Sequence, residues 1–84
     1  VIERSSGQSW IASDRMRRAI AGDLAPRAHT TLLNKDTHLA LDMARRLGIA
    51  TPVGENAAAL VARACESGFA ALDDASLLEL LRRR

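Results

Sequence analysis

Lys35 and Asp36 stand together where a helix-forming stretch has its oily side, and that pairing of types is the sequence's main claim to chemistry. Leu32, Leu33, Leu39, Ala40, Met43, Ala44 and Leu47 recur at three- and four-residue intervals, the spacing of one apolar helix face. At about 100° per residue the arc runs from Leu39 round to Ala44, with Asp36 near its middle. A carboxylate that is charged, dry and unpaired is costly, so it requires donors or an opening to solvent. Lys35 lies on the flank, where its stem can follow apolar surface and carry the ammonium outward. Two readings follow. Either Asp36 bonds backbone N–H groups of a neighbouring element, or the face ends at a cleft with the pair at its lip. Both expect this side of the helix to turn inward. A carboxylate free in bulk water, with Lys35 far from any groove, would remove the geometric basis for a ligand-binding pair.

Other reactive types have bland explanations. His38 is one turn from both Asn34 and Asp42, but two side chains with one on the polar side make an exposed helix pair rather than a metal site. His29 has no carboxylate or cysteine at helical spacing that would mark a catalytic dyad. Ser5-Ser6-Gly7 is a common turn, and neither GxGxxG nor GxxxxGK occurs. Cys65 is the single cysteine; it sits at helical spacing from Val61 and Ala58 and reads as a small core residue in a reduced, cytoplasmic setting.

The elements that must position these groups are helical. Ala and Leu dominate, β-branched residues never run together, and the chain has one Trp, one Phe and no Tyr. Residues 1–6 read as the end of a helix capped by Gly7. A short helix then starts at Ser9 or Ser6, runs through Trp10, Ile11, Met16 and Ala19 to about Ile20, and stops at Gly22. Asp23-Leu24-Ala25-Pro26 is a loop. Helix 30–47 follows, with Thr30 or Thr31 as N-cap and Gly48 as its left-handed end. Thr51-Pro52 opens a helix that carries Ala57, Leu60, Val61, Ala64 and Cys65 on one face and stops at Gly68. Its alanines suggest close approach to another helix. Phe69 folds back on the last turn, and Asp73-Asp74 cap a final helix whose apolar side is Leu77, Leu78, Leu80 and Leu81.

Eighty-four residues make one all-α domain with a modest core. Twelve basic and ten acidic residues are mixed along the chain, a solvated surface rather than a nucleic-acid footprint, although Arg15/Arg17/Arg18 and Arg82-Arg83-Arg84 are local clusters. Aromatic platforms for bases are absent, and no apolar run approaches the ~18 residues of a membrane span. Val1 opens the chain without an initiator methionine, and VIERSSG reads as the tail of a preceding segment, so a fragment of a longer protein is expected.

Four segments resemble the C-terminal helical domain of the 3-hydroxyisobutyrate dehydrogenase (β-hydroxyacid dehydrogenase) family, relatives of 6-phosphogluconate dehydrogenase. SSGQSW at 5–10 resembles a small-Gly-x-Ser-Trp segment, and GDLAP at 22–26 a Gly-Asp-Phe-x-Pro loop. NKDTHLALDMARRLGIATPV at 34–53 is similar to a Lys-Asp-x-x-Leu-Ala helix with a Gly-x-x-x-Pro turn. ESGFAALDDASLLELLR at 66–82 is similar to a Gly-x-x-x-x-Asp-x-Ser ending. The likeness covers essentially the whole chain, in order.

The resemblance implies a small all-helical domain that follows a Rossmann domain, closes the cleft and supplies much of a homo-oligomer interface. It implies an enzyme that oxidises or reduces a small β-hydroxyacid with NAD or NADP, the cofactor held mainly by the Rossmann half. The lysine of the Lys-Asp pair, Lys35, would reach the cofactor; Asp36 would support the domain junction or substrate pocket. The family's general acid/base is another lysine, upstream of Val1, so no catalytic residue lies in this segment and the fragment alone is expected to be inactive. Many relatives carry a pocket-lining phenylalanine where this chain has Ala28 beside His29, which opens the substrate choice. Alternative classes are a small helical DNA-binding module using the arginine clusters, with a helix-turn-helix around Gly48, or a helical interaction unit that only dimerises. Against the first, Ala57-Ala58-Ala59 offer nothing to read base edges.

Overall fold

Residues 1–83 are described by the computed structural model, and everything regular among them is helical. A 3-10 turn at Ile2–Arg4 leads to α1 (Trp10–Ala21), α2 (Thr30–Arg46), α3 (Pro52–Ala64), a π-type turn at Cys65–Phe69, a 3-10 turn at Asp74–Ser76 and α4 (Leu77–Arg82). The expected stops hold. Ser9 caps α1 by accepting from the Ala12 N–H at 3.1 Å, and Gly22, Gly48 and Gly68 all take left-handed backbone, where a Cβ would be strained.

Three cap expectations are corrected. Residues 1–6 end no α-helix: the turn closes on Ser5 in extended backbone, and Gly7 stays out of the left-handed region. Thr30 is not an N-cap but the first residue of α2, whose cap position is His29 and has no side-chain bond. Thr51 precedes Pro52 as expected, yet its hydroxyl caps nothing. The first turn of α2 is satisfied instead from a distant segment: the Thr30 N–H donates to Leu72 O at 2.9 Å and the Thr31 N–H to Ala70 O at 3.2 Å.

Packing is thin and made of small residues. Ala58, Val61 and Ala64 form the buried face of α3, with Ala57 outside it. Gly54 lets α3 approach α2 closely, since a Cβ there would lie 3.3 Å from Leu41 Cδ2. Phe69 is buried with Ala64 and Leu80, flanked by Leu60, Leu72 and Leu77, as its place after Gly68 suggested. Cys65 is half-buried and free.

The face of α2 is the main correction. Its buried residues are Thr30 and Leu41, with Leu33, Asn34, Thr37 and Ala44 half-buried. Leu32, Leu39, Met43 and Leu47, the body of the apolar arc, are exposed. The helix packs through its smaller, mixed side and turns its oily stripe outward.

Candidate functional site

The largest wholly buried side chains are polar: Thr30, Asp73 and Ser76. Asp73 lies where the loop after α1 meets the turn before α4. Its Oδ1 accepts from the Arg27 N–H at 2.9 Å and the Ala28 N–H at 3.2 Å, and its Oδ2 accepts from the Ala75 N–H at 2.9 Å. Arg18 Nη1 stands 3.1 Å from Oδ2 in a charge contact whose angle falls short of a directed hydrogen bond. Backbone pairing runs alongside: Asp73 N–H to Leu24 O, Asp74 N–H to Ala28 O, and a two-residue antiparallel bridge between His29 and Asp73. The Thr30 hydroxyl donates into the same place, to Leu72 O at 3.0 Å or Asp73 O at 3.2 Å.

Burial pushes the Asp73 carboxyl up, but the Ala75 and Arg27 N–H groups, the Arg18 guanidinium and the Ala28 N–H outweigh it and hold the group well below the usual carboxylate range. Such an anion has its acceptors engaged and is no general base. Around it, Asp14 bonds both Arg18 (2.9 Å) and Arg15 (2.6 Å), and Arg15 Nε donates to Asp74. Those arginines hold the Asp14 carboxyl below its ordinary value, Arg18 first and then Arg15. Asp73 fills the capping role expected of it, at Ala75, but its burial is not legible in its place along the chain. The readable signal was Arg15 and Arg18 one helical turn apart with Asp14 and no other acid nearby on that face.

Lys35 and Asp36 are elsewhere, on the open side of α2. Lys35 Nζ is 3.4 Å from Asp36 Oδ1, and the two side chains are 60 and 59% exposed. The expectation of an inward carboxylate is therefore wrong: Asp36 is in water, in the middle of an apolar stripe that none of the described residues covers. Neither residue lines any of the three clefts found. The geometric basis for a ligand-binding pair is therefore absent from this chain: Lys35 and Asp36 pair with each other in water beside an apolar edge.

The remaining candidates dissolve into local pairs. His38 Nδ1 meets Asn34 O at 2.7 Å, Asp42 pairs with Arg45 at 3.4 Å, and no three metal-binding side chains come together among the described residues. Arg17 bonds Glu3, and Arg82 bonds Glu79; Arg83 lies over the Phe69 ring, 4.8 Å from its centre. Arg84 lies outside the described residues. Ala28 serves through its backbone, giving its N–H to Asp73 and its carbonyl to the Asp74 N–H. An apolar groove of about 400 Å³ runs between α1 and α4, walled by Ile11, Met16, Leu33, Leu77, Leu78 and Leu81. No helix is long and apolar enough to cross a membrane among the described residues.

Residues 1–81 match the family described as "NAD-binding of NADP-dependent 3-hydroxyisobutyrate dehydrogenase". An L-threonate dehydrogenase of Pectobacterium atrosepticum is 29% identical over 80 residues, which are 95% of this chain and 26% of that protein. An Escherichia coli L-threonate dehydrogenase is 28% identical over the same shares. A 3-hydroxyisobutyrate dehydrogenase structure from Salmonella typhimurium superposes with a TM-score of 0.89 at 26% identity, covering 94% of this chain and 28% of that one. The chain thus spans about a quarter of the length of these relatives.

Proposed function

Because this chain belongs to the family described as NAD-binding of NADP-dependent 3-hydroxyisobutyrate dehydrogenase, we propose that it is the helical domain of an NAD(P)-dependent oxidoreductase for a small β-hydroxyacid. In this reading it closes the cleft over a Rossmann domain of the same polypeptide and contributes to a homo-oligomer interface in the cytoplasm. The observation that supports it most is the stripe Leu32, Leu39, Met43 and Leu47, exposed along α2 with Asp36 in its midst and Lys35 on its flank. A continuous apolar face of this kind has a covering partner, and a carboxylate within it meets donors once covered.

The cofactor, when bound, supplies the hydride. Lys35 supplies charge and N–H donors to the cofactor or a substrate anion, and its exposed ammonium is tied only to its sequence neighbour. Asp36 supports the junction. In this reading the proton is moved by the family's catalytic lysine in another part of the protein, and the 84 residues alone are expected to be inactive. Many relatives carry a phenylalanine at the position of the half-buried Ala28, so in this reading the substrate pocket is wider or carries a polar group.

The test is Lys35→Ala in the full-length protein that carries this chain. The expected result is a fall in kcat/KM of about 10²-fold, the scale of a lost or misplaced positioning contact, with the melting temperature unchanged. Wild-type kinetics overturn the role. Against the DNA-binding alternative, Arg15 and Arg18 are held by Asp14, Asp73 and Asp74; a salt-dependent shift on duplex DNA would favour it.

A further inference from the structure

Between the buried acid and the open face of α2 there is one rigid connection, the first turn of that helix. Residues 27–31 are held by the 70–76 segment through the Asp73 carboxylate on the Arg27 and Ala28 N–H groups, the Leu72 and Ala70 carbonyls on the Thr30 and Thr31 N–H groups, and the Thr30 hydroxyl. Nothing local caps this terminus, so these long-range bonds, together with the packing of α2 on α3 at Leu41 and Gly54, set the direction in which α2 leaves the loop. Lys35 and Asp36 follow within two turns on the same helix. A helix is stiff over that length, and a small rotation at its start displaces every side chain beyond it.

We infer that Asp73 is a positioning residue: with Thr30 it sets the orientation of α2 and thereby where Lys35 meets the dinucleotide. This rests on the reading that Lys35 reaches the cofactor. Asp14 provides a matched control. It neutralises the same two arginines, Arg15 and Arg18, and touches residues 27–31 only through the exposed Arg27 guanidinium at 3.8 Å, accepting from none of their backbone N–H groups.

The experiment measures KM for NAD or NADP, and kcat, in the full-length protein with Asp73→Asn, Thr30→Val, Asp14→Asn and Lys35→Ala, each well below its own melting temperature. The expected result is a rise in dinucleotide KM of about tenfold for Asp73→Asn and a smaller rise for Thr30→Val, as for a displaced contact, with Asp14→Asn at the wild-type value. An equal rise in Asp14→Asn overturns the inference, because charge balance on the arginines would then suffice. So does a wild-type KM in both Asp73→Asn and Thr30→Val while Lys35→Ala raises it. If Lys35→Ala leaves the dinucleotide KM unchanged, Lys35 does not meet the cofactor and the inference fails; if kcat is unchanged too, the functional reading fails with it. Should Asp73→Asn not fold, Thr30→Val decides alone, since it removes one hydroxyl and keeps the shape.

Discussion

Arg18 Nη1 and Asp73 Oδ2 lie 3.1 Å apart with the aspartate side chain wholly buried. The pair joins α1 to the turn before α4. Burying a carboxylate is unfavourable in itself, and here backbone N–H groups carry much of the compensation.

That division of partners predicts an unusual double-substitution result. Asp73→Asn leaves Arg18 with Asp14 as its remaining counter-ion but puts a neutral amide where the Arg27, Ala28 and Ala75 N–H groups converge, and should cost about 3 kcal/mol. In an ordinary buried ion pair, replacing both members with apolar residues is close to neutral. Here Arg18→Met with Asp73→Leu should recover little, because the Arg27, Ala28 and Ala75 N–H groups stay buried and unsatisfied. Urea unfolding of the two single variants and the double decides it; full recovery would show the arginine to be the main partner.

Acid should unfold the protein through the same groups. Asp73, Asp14 and Glu3 all lie below their ordinary values of 3.8, 3.8 and 4.5 in the folded chain. A group with a lowered folded pKa contributes stability that is complete above its ordinary value and is lost as pH falls toward the folded one. These three groups therefore leave stability flat from about pH 7 to 5 and reduce it below about pH 4. Melting temperatures across pH 7 to 2 test this, and Asp73→Asn should show a shallower acid limb than wild type.

Phe69 is the one large aromatic in the core, against Ala64 and Leu80. Phe69→Ala should cost about 3–5 kcal/mol, since Ala64 and the surrounding leucines, held on separate elements, would close the space only in part. In a domain of this size that is most of the stability available. Circular dichroism melts would read it as loss of a cooperative transition at ambient temperature.

The outward stripe of α2 makes the opposite forecast. Leu39→Gln and Met43→Gln should change the stability of the 84-residue chain by no more than about 0.5 kcal/mol each, as exposed substitutions do. In the full-length protein the same changes should lower the melting temperature and loosen the domain contact. A loss of about 2–5 kcal/mol in the short chain would mean that these side chains are core after all.

Much of the local structure was written in the sequence. Ser9, Gly22, Gly48, Pro52 and Gly68 mark helix boundaries through the backbone conformations or hydrogen bonds that those residue types permit, and such rules act within a few residues. The family likeness was carried by short segments in order along the chain, so it too was visible without coordinates. The all-helical class followed from composition and from the 3.6-residue period of the apolar positions.

Which side of α2 is inside was not decided there. Hydrophobic periodicity says that a face avoids water; it cannot say whether the cover comes from this domain or from another. The arc around Leu39 and Met43 therefore read as core, while the helix buries Thr30 and Leu41. The acid that does go inside, Asp73, looked like a simple helix cap because its decisive partners, Arg18 and the Arg27 and Ala28 N–H groups, lie 45 to 55 positions away along the chain. Pairings of that range are fixed by the tertiary fold, because only the packing of α1 against the turn before α4 brings donor and acceptor within bonding distance.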